Sequence, residues 1–265
     1  MRVACLQMCS GLDRDANLAT VDRLLTMAAD QGAGLAVLPE TFAFMGGTEA
    51  EKRDMAEPQS ESETLCFLSE QAARHQMSII AGSLFLKAEG DHIRNACAAF
   101  DATGSLLAVY DKIHLFDMDY QGESYHESAL IEAGNKPVCI QAGDFKIGLS
   151  ICYDLRFPEL FRHYVSEGCE VLCNVAAFTV TTGRVHWQSL LQARAIENQC
   201  YVLAAAQTGT HPDGRQTWGH SLIIDPWGEV LAELAEGEGL VVAELSKKHV
   251  KHLRQSLPAL RHRRL

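Results

Sequence analysis

The sequence predicts an α/β fold in which mixed β-sheets are covered by helices. Short apolar runs of strand length alternate with longer segments of helical periodicity along the chain. Two pairs of apolar runs are joined by tight-turn sequences, DATG at residues 101–104 and DPWG at residues 225–228, which indicate antiparallel hairpins. Helical crossovers combined with hairpins favour mixed sheets over one fully parallel, doubly wound sheet. We expect Trp227, in the second turn, to pack against the core.

The strands are predicted from short apolar runs bounded by polar residues, glycine or proline. They lie at residues 2–9, 35–38, 77–86, 94–100, 106–110, 145–151, 171–175, 201–207, 221–224, 230–234 and 239–245. Helices are predicted where apolar residues recur every three or four positions. They lie between residues 13 and 32, at about 62–75, about 158–168 and 183–198, and after Ser246. Asp13 or Asp15 suits the N-cap of the first helix and Ser246 that of the last, because their side-chain oxygens accept hydrogen bonds from free backbone N–H groups.

Length and composition favour one domain. The chain has 265 residues, 47% of them hydrophobic, and shows no internal repeat, linker or low-complexity segment. We therefore expect a single domain over residues 1–265. Two polar segments are predicted to be loops: an exposed acidic loop or lid at residues 48–63, and a long loop at residues 116–135, whose length in a compact domain suggests a functional segment that could act as a lid.

Charge, apolar run length and cysteine content bear on the partners, the compartment and the metal content that the sequence allows. A net charge of -11 argues against nucleic acid or an anionic membrane as a partner. No apolar stretch reaches membrane-spanning length. Nine cysteines and an N-terminus without a signal-peptide pattern favour a reducing, cytoplasmic compartment. Neither the C-x-x-x-C spacing of Cys169 and Cys173 nor the eleven histidines form a zinc pattern, so no metal site is expected.

The bend that follows the strand at residues 145–151 is the most informative stretch. Cys152 ends the apolar run, Pro158 suits a first helical turn, and Glu159 favours the positive helix terminus. Backbone N–H groups in such a bend can stabilise a thiolate or an oxyanion. A buried structural role is the commoner one for a free cysteine, so Cys152 alone does not establish a catalytic site.

Two further ionisable residues, Glu40 and Lys112, also lie just after predicted strands. Each alone suits a solvated surface position, but together with Cys152 they could meet at one end of the sheets. Their surroundings, LPETF at residues 38–42, YDKIHLFD at 110–117 and SICYDLRFPE at 150–159, resemble in order the three signature blocks of the nitrilase superfamily of carbon–nitrogen hydrolases. Similarity at residues 3–8, 219–221 and 225–228 extends the resemblance over essentially the whole chain.

The resemblance implies a four-layer αββα sandwich, homodimers or higher homo-oligomers that pair helical faces, and no metal or organic cofactor. It implies that Cys152 is the nucleophile, Glu40 the general base and later the general acid, and Lys112 a cation beside the developing oxyanion. Glu127 matches a second glutamate often found near the catalytic lysine. A small-molecule amide is the implied substrate.

The physical chemistry of these groups agrees with such roles. A lysine about 4 Å from a thiol, at an effective dielectric constant of about 20, favours the thiolate by roughly 4 kcal/mol, or about three pKa units. An ionised Glu40 cancels part of this effect. We expect Cys152 to attack an amide carbonyl while its proton moves to Glu40, with Lys112 and the backbone N–H of Tyr153 stabilising the oxyanion. A thioester acyl-enzyme results.

Within the superfamily, residues 186–207 resemble the branch of deaminated glutathione amidases, with the ω-amidases that act on α-ketoglutaramate as the nearest competitor. Both substrates carry a 2-oxo-acid group, so the pocket should bind a carboxylate. The candidate substrate contacts are Tyr153, Phe116, Phe178, Thr182, Arg184 and His186. Arg156 is expected to brace the bend.

Three other functions stay open on sequence grounds. One is a carbon–nitrogen hydrolase acting on an N-carbamoyl amino acid or an aliphatic amide. Another is a catalytically silent oligomeric scaffold, which would lose the trio that is present here. The third is a redox or metal-binding thiol protein, which would need a second cysteine or a histidine against Cys152.

Overall fold

The structure, a computed structural model, describes residues 1–120 and 122–264. The strands are β1 (Arg2–Gln7), β2 (Leu35–Val37), β3 (Ser78–Lys87), β4 (Ile93–Phe100), β5 (Leu106–Asp111), β6 (Asp117–Tyr120), β7 (Glu123–His126), β8 (Cys139–Ala142), β9 (Phe145–Ile151), β10 (Val171–Ala176), β11 (Tyr201–Ala206), β12 (Thr208–Thr210), β13 (Gln216–Trp218), β14 (Ser221–Ile224), β15 (Val230–Leu234) and β16 (Gly239–Glu244). The α-helices are α1 (Arg14–Asp30), α2 (Glu49–Met55), α3 (Glu63–His75), α4 (Pro158–Ser166), α5 (Val180–Asn198) and α6 (Lys247–Ser256).

Two six-stranded sheets form the centre of the fold. The first has the order β16-β1-β2-β3-β4-β5 and the second the order β15-β14-β11-β10-β9-β8. In each sheet three neighbouring strands are parallel, β1-β2-β3 in one and β9-β10-β11 in the other, and the strands at both ends join antiparallel. The prediction of mixed sheets is therefore confirmed.

Apolar packing arranges these sheets and their helices in four layers. Val37 of β2 and Leu149 of β9 belong to one buried cluster, which fills the space between the sheets and also includes Leu191 of α5. Side chains on the other face of the first sheet form a second cluster with Leu24 of α1 and Leu68 of α3. Alternate residues of a strand face opposite sides, so each sheet packs on both faces. This is the αββα sandwich that the resemblance implied.

The two segments predicted as loops contain secondary structure. Residues 48–63 are not one open loop, and that prediction is wrong: Thr48 and Glu51 form a reciprocal capping box that starts α2, and a 3₁₀ turn follows at Gln59–Glu61. The segment at residues 116–135 contains the short hairpin β6–β7. The sequence also missed the hairpin β12–β13, whose three-residue strands are too short to show a period.

Two more observations bear on the sequence predictions. Trp227 is 57% exposed, so the prediction that it packs into the core is wrong. Within residues 1–120 and 122–264, none of the helices has the length and apolar character needed to cross a bilayer.

Buried thiols make the stability of this fold sensitive to alkaline pH. Burial raises the pKa of Cys5 to about 12, and it also raises the pKa of Cys200 to about 12. In the unfolded chain these thiols have a pKa of ~8.5. The unfolded state therefore binds fewer protons than the folded state above that pH, and the free energy of unfolding falls as pH rises toward about 12.

We expect Cys5→Ala to reduce this pH dependence. Each buried thiol contributes a slope of about 1.4 kcal/mol per pH unit once its unfolded form is ionised. Urea unfolding under reducing conditions, repeated between about pH 9 and about pH 11, measures the slope for the wild type and the variant. Cys66→Ala, which removes an exposed thiol, is the matched control and should leave the slope unchanged. An equal slope in the wild type and in Cys5→Ala would refute this explanation.

Candidate active site

The ends of three strands bring the predicted trio together. Glu40 lies three residues past β2, Lys112 directly follows β5 in the same sheet, and Cys152 directly follows β9 in the facing sheet. All three side chains line one cavity of about 360 Å³. Glu127, the first residue of a 3₁₀ turn at Glu127–Ala129, lines it as well. The four residues that the sequence proposed as catalytic therefore share one site.

Lys112 is the centre of a buried ion cluster. Its Nζ lies 3.0 Å from Oε1 of Glu40, and 2.9 and 2.7 Å from the two carboxylate oxygens of Glu127. Lys112 is 2% exposed and Glu40 4%. Burial by itself lowers the pKa of Lys112, but the charges of Glu127 and Glu40 outweigh it and raise that pKa above its ordinary value. Lys112 is therefore a fixed cation.

Neutral N–H donors fix both carboxylates. The backbone N–H of Ala177, directly after β10, donates to Oε2 of Glu40 over 2.7 Å, and the backbone N–H of Phe116 donates to Glu127 over 2.7 Å. The side-chain amide of Asn95 donates to both carboxylates, over 3.0 Å to Glu40 and 3.2 Å to Glu127. Sequence reasoning missed Asn95. The signal for it was a lone amide within the apolar strand β4.

A constrained backbone presents the Cys152 side chain. Cys152 has φ +48°, in the left-handed region that non-glycine residues rarely adopt, and begins the 3₁₀ turn Cys152–Arg156. The fully buried carboxylate of Asp154 holds this turn: it accepts hydrogen bonds from the backbone N–H of Ile151 (2.8 Å), the Tyr110 hydroxyl (2.6 Å) and the backbone N–H of His114 (3.0 Å). These bonds offset the cost of the strained conformation.

The protonation of Cys152 differs from the sequence expectation. Burial and then the negative charge of Glu40 raise the pKa of the Cys152 thiol well above its ordinary value. Lys112 and the N–H of Ala177 act in the opposite direction but are outweighed. Lys112 lowers the pKa of Cys152 as expected, but the expectation of a net stabilisation of the thiolate is wrong, because burial and the charge of Glu40 outweigh Lys112. At neutral pH the resting side chain is a thiol.

Four of the predicted substrate contacts line the cavity: Tyr153, Phe116, Phe178 and Thr182. His186 does not; it is exposed on α5, where its Nδ1 lies 3.2 Å from the Arg156 guanidinium. The nearby Arg184 is also exposed and absent from the cavity wall. The start of α5 therefore contributes Thr182 to the cavity wall, whereas Arg184 and His186 face solvent.

Arg156 has a different position from the one expected. It lines the cavity, and its guanidinium lies 5.6 Å from the ring centre of Tyr153 and 5.5 Å from that of Phe178. The predicted bracing of the bend comes instead from Arg194, which donates to the carbonyl oxygen of Leu155 over 2.7 and 3.1 Å. Arg156 is therefore available to a ligand.

The redox and metal-binding hypotheses would each require further cysteine, histidine or acidic side chains placed against Cys152. Cys152 is the one cysteine among the described residues that line the cavity. No group of three or more metal-binding side chains with suitable geometry occurs within residues 1–120 and 122–264.

We expect Glu40→Gln to lower the pKa of Cys152, because it removes the charge that opposes the thiolate and leaves that of Lys112. The rate of Cys152 alkylation by iodoacetamide, followed against pH by peptide mass spectrometry, measures this pKa. Glu49→Gln removes an exposed carboxylate from the same cavity and should leave the profile unchanged. An unchanged or higher pKa in Glu40→Gln would contradict the electrostatic account.

Comparison with known proteins agrees with this geometry. The family model for carbon-nitrogen hydrolases matches residues 2–255. A deaminated glutathione amidase of Synechocystis sp. is 46% identical over 265 residues, covering 98% of this chain and 97% of that protein. The Caenorhabditis elegans NitFhit protein has a TM-score of 0.93 and 38% identity, covering 99% of this chain and 65% of that one. Saccharomyces cerevisiae Nit3, a nitrilase superfamily member, has a TM-score of 0.90 and 30% identity over 100% of this chain and 97% of its own. The chain therefore belongs to the carbon–nitrogen hydrolase family of the nitrilase superfamily.

Proposed function

We propose that the protein is a cysteine-dependent amidase that hydrolyses a small 2-oxo-acid amide, deaminated glutathione, through a thioester acyl-enzyme. One observation carries the mechanism: the Cys152 thiol lines the same cavity as Glu40, whose carboxylate is fixed by Lys112, Asn95 and the N–H of Ala177. Nucleophilic acyl transfer requires a nucleophile beside a base that further groups orient.

The first half of the reaction forms the acyl-enzyme. The Cys152 sulfur attacks the amide carbonyl as its proton moves to Glu40. The raised pKa of the thiol is compatible with this step, because a free thiolate need not accumulate. The Lys112 ammonium and the backbone N–H of Tyr153 stabilise the tetrahedral oxyanion. When the intermediate collapses, the C–N bond breaks, Glu40 returns the proton to the departing amine, and a thioester on Cys152 remains.

The second half uses the same groups. Glu40, again a carboxylate, removes a proton from water as the water oxygen attacks the thioester carbonyl. Collapse of this second intermediate breaks the C–S bond and returns the proton to sulfur, so the carboxylic acid leaves and the thiol is restored. Glu127 contributes by holding Lys112 through two contacts of 2.9 and 2.7 Å, and so acts as a positioning residue.

The side chains that line the cavity suit the acyl half of this substrate. A 2-oxo acid carries a carboxylate beyond the reacting amide, and Arg156 is a cation in the cavity that can bind it bidentately. Thr182, buried and also in the wall, offers a hydroxyl group. Phe116, Phe178 and Tyr153 provide apolar walls for the carbon chain. The similarity to the Synechocystis sp. deaminated glutathione amidase supports this choice of substrate.

An ω-amidase acting on α-ketoglutaramate is the second candidate, because that substrate has the same 2-oxo-acid half. A comparison of kcat/KM for deaminated glutathione, α-ketoglutaramate and an N-carbamoyl amino acid distinguishes the candidates. The proposal predicts the highest value for deaminated glutathione. A higher value for α-ketoglutaramate would assign the ω-amidase function, and hydrolysis of none would favour a silent scaffold.

Cys152→Ala should abolish turnover while the protein stays folded. Loss of the nucleophile removes the covalent route, for which reductions of at least about 10⁴-fold are typical. Product release measured by mass spectrometry, together with circular dichroism and thermal unfolding, tests this expectation. Cys9→Ala, which removes an exposed thiol away from the cavity wall, should keep wild-type turnover. Full activity in Cys152→Ala would exclude the mechanism.

We also propose a homodimer in a reducing cytoplasm. All nine cysteines are free, which suits a reducing compartment. Val185 and Ile196 of α5 are 60% and 54% exposed, and Trp227 is 57% exposed. Gln192 of α5 donates to the carbonyl oxygen of Gly228 over 2.9 Å, which joins the helix to the Trp227 turn as one surface. Exposed apolar surface of this kind favours association with a second copy.

Ile196→Asp should therefore convert the dimer to a monomer of about 29.1 kDa, because it places a charge in the proposed interface. Size-exclusion chromatography with light scattering measures the mass. Leu106→Asp makes the same kind of change at a 46% exposed position on β5 and should leave the dimer intact. A dimer that survives Ile196→Asp, or a monomeric wild type, would contradict the proposed interface.

A further inference from the structure

Lys52 and Arg215 line the cavity, and neither has an ion-pair partner among residues 1–120 and 122–264. Lys52, on α2, is partly buried, and among residues 1–120 and 122–264 its ammonium has no hydrogen bond and no carboxylate within 4 Å. Arg215, between β12 and β13, lies with its guanidinium 4.5 Å from the ring centre of Tyr125 and forms no ion pair with a described residue. Its buried Nε has no hydrogen-bond partner within the described ranges. Both cations therefore have donors to spare.

The acidic side chains near them contact groups other than the Lys52 ammonium and the Arg215 guanidinium. Glu49 lies 3.5 Å from the Arg53 guanidinium, and Asp213 accepts a hydrogen bond from the backbone N–H of Arg215 over 3.0 Å. Burial and then the charge of Arg215 lower the pKa of Lys52, against the opposing charges of Asp213, Glu49 and Glu127. Unpaired cations that are partly removed from water are costly to the folded protein, and an anionic ligand would remove that cost.

The other cations of the cavity have assigned partners. Lys112 contacts two carboxylates, and Arg156 is proposed to bind the 2-oxo-acid carboxylate of the acyl half. Lys52 and Arg215 come from other segments, and the segment that leads from Glu40 to Lys52 contributes Thr41, Met45 and Gly46 to the wall. Glu40 is the group that protonates the departing amine, so this wall suits the amine half of the substrate.

We infer that Lys52 and Arg215 form a subsite for a carboxylate on the amine half of the substrate. The subsite makes the enzyme specific for 2-oxo-acid amides whose amine part is a short peptide ending in a free carboxylate, as opposed to primary amides that release ammonia. It presupposes the proposed amidase function, and it assigns the discrimination between the two candidate substrates to two named side chains. A charge-assisted contact to a carboxylate selects against a neutral analogue.

The test uses a pair of substrates that differ at one group: deaminated glutathione and its C-terminal carboxamide. The wild type should favour the free acid in kcat/KM by about tenfold to a hundredfold, mainly through KM. In Lys52→Met and in Arg215→Met this ratio should fall toward one, and Lys52→Arg should restore part of it. Lys248→Met removes an exposed charge on α6, outside the cavity wall, and should keep the wild-type ratio.

The possible results distinguish failure of the subsite proposal from failure of the amidase proposal. A wild-type ratio near one, or an unchanged ratio in both methionine variants, overturns the subsite while hydrolysis of both substrates leaves the amidase proposal standing. The wild-type ratio needs no variant, so misfolding of Arg215→Met cannot hide that result. If the wild type hydrolyses neither substrate, the proposed function fails and the subsite fails with it.

Discussion

The buried contacts of Lys112 are the interaction on which the rest of the site depends. A lysine ammonium that is 2% exposed loses most of its hydration, at an effective cost of several kcal/mol, unless charged partners replace water. Glu40 and Glu127 supply them, and each is itself held by backbone N–H groups, at Ala177 and Phe116. Since Glu40 follows a strand of the first sheet and Ala177 a strand of the second, the cluster forms only when the two sheets are packed together.

The same cluster decides how the thiol can react. Burial and then the charge of Glu40 raise the pKa of Cys152, and the charge of Lys112 offsets only part of this shift. In the proposed mechanism a low-pKa thiolate, as in many reactive cysteines, is unnecessary, because Glu40 takes the proton during the attack. The proton must also be returned to the leaving amine, and a carboxylate that accepts it from the thiol can deliver it there. In that mechanism the buried thiol keeps its proton until substrate is attacked, because burial raises its pKa.

The sequence predicted the parts of the site that lie at strand ends. Glu40, Lys112 and Cys152 each follow an apolar run, and both hairpins carry clear turn residues. Other parts depend on tertiary contacts that no local pattern records. Asn95 lies within a strand, and its amide reaches Glu127 only after folding brings that distant residue next to it. Lys52 lies on α2, a short capped helix with no buried residue, and Arg215 lies between two three-residue strands. Neither part of the chain shows a clear apolar period. The pKa of Cys152 depends on a balance of burial and charge that requires the folded geometry.

In the proposed mechanism Cys152 carries the acyl group during turnover. The most direct test is to quench the enzyme with acid during steady-state hydrolysis of deaminated glutathione and to measure its intact mass, followed by peptide mapping. We expect the mass to rise by that of the 2-oxo acyl group less one hydrogen, with the group on Cys152 and lost when substrate is exhausted. Rapid turnover with the acyl group on another residue would exclude this mechanism. Hydrolysis of the substrate by an enzyme that lacks the Cys152 thiol would exclude it as well.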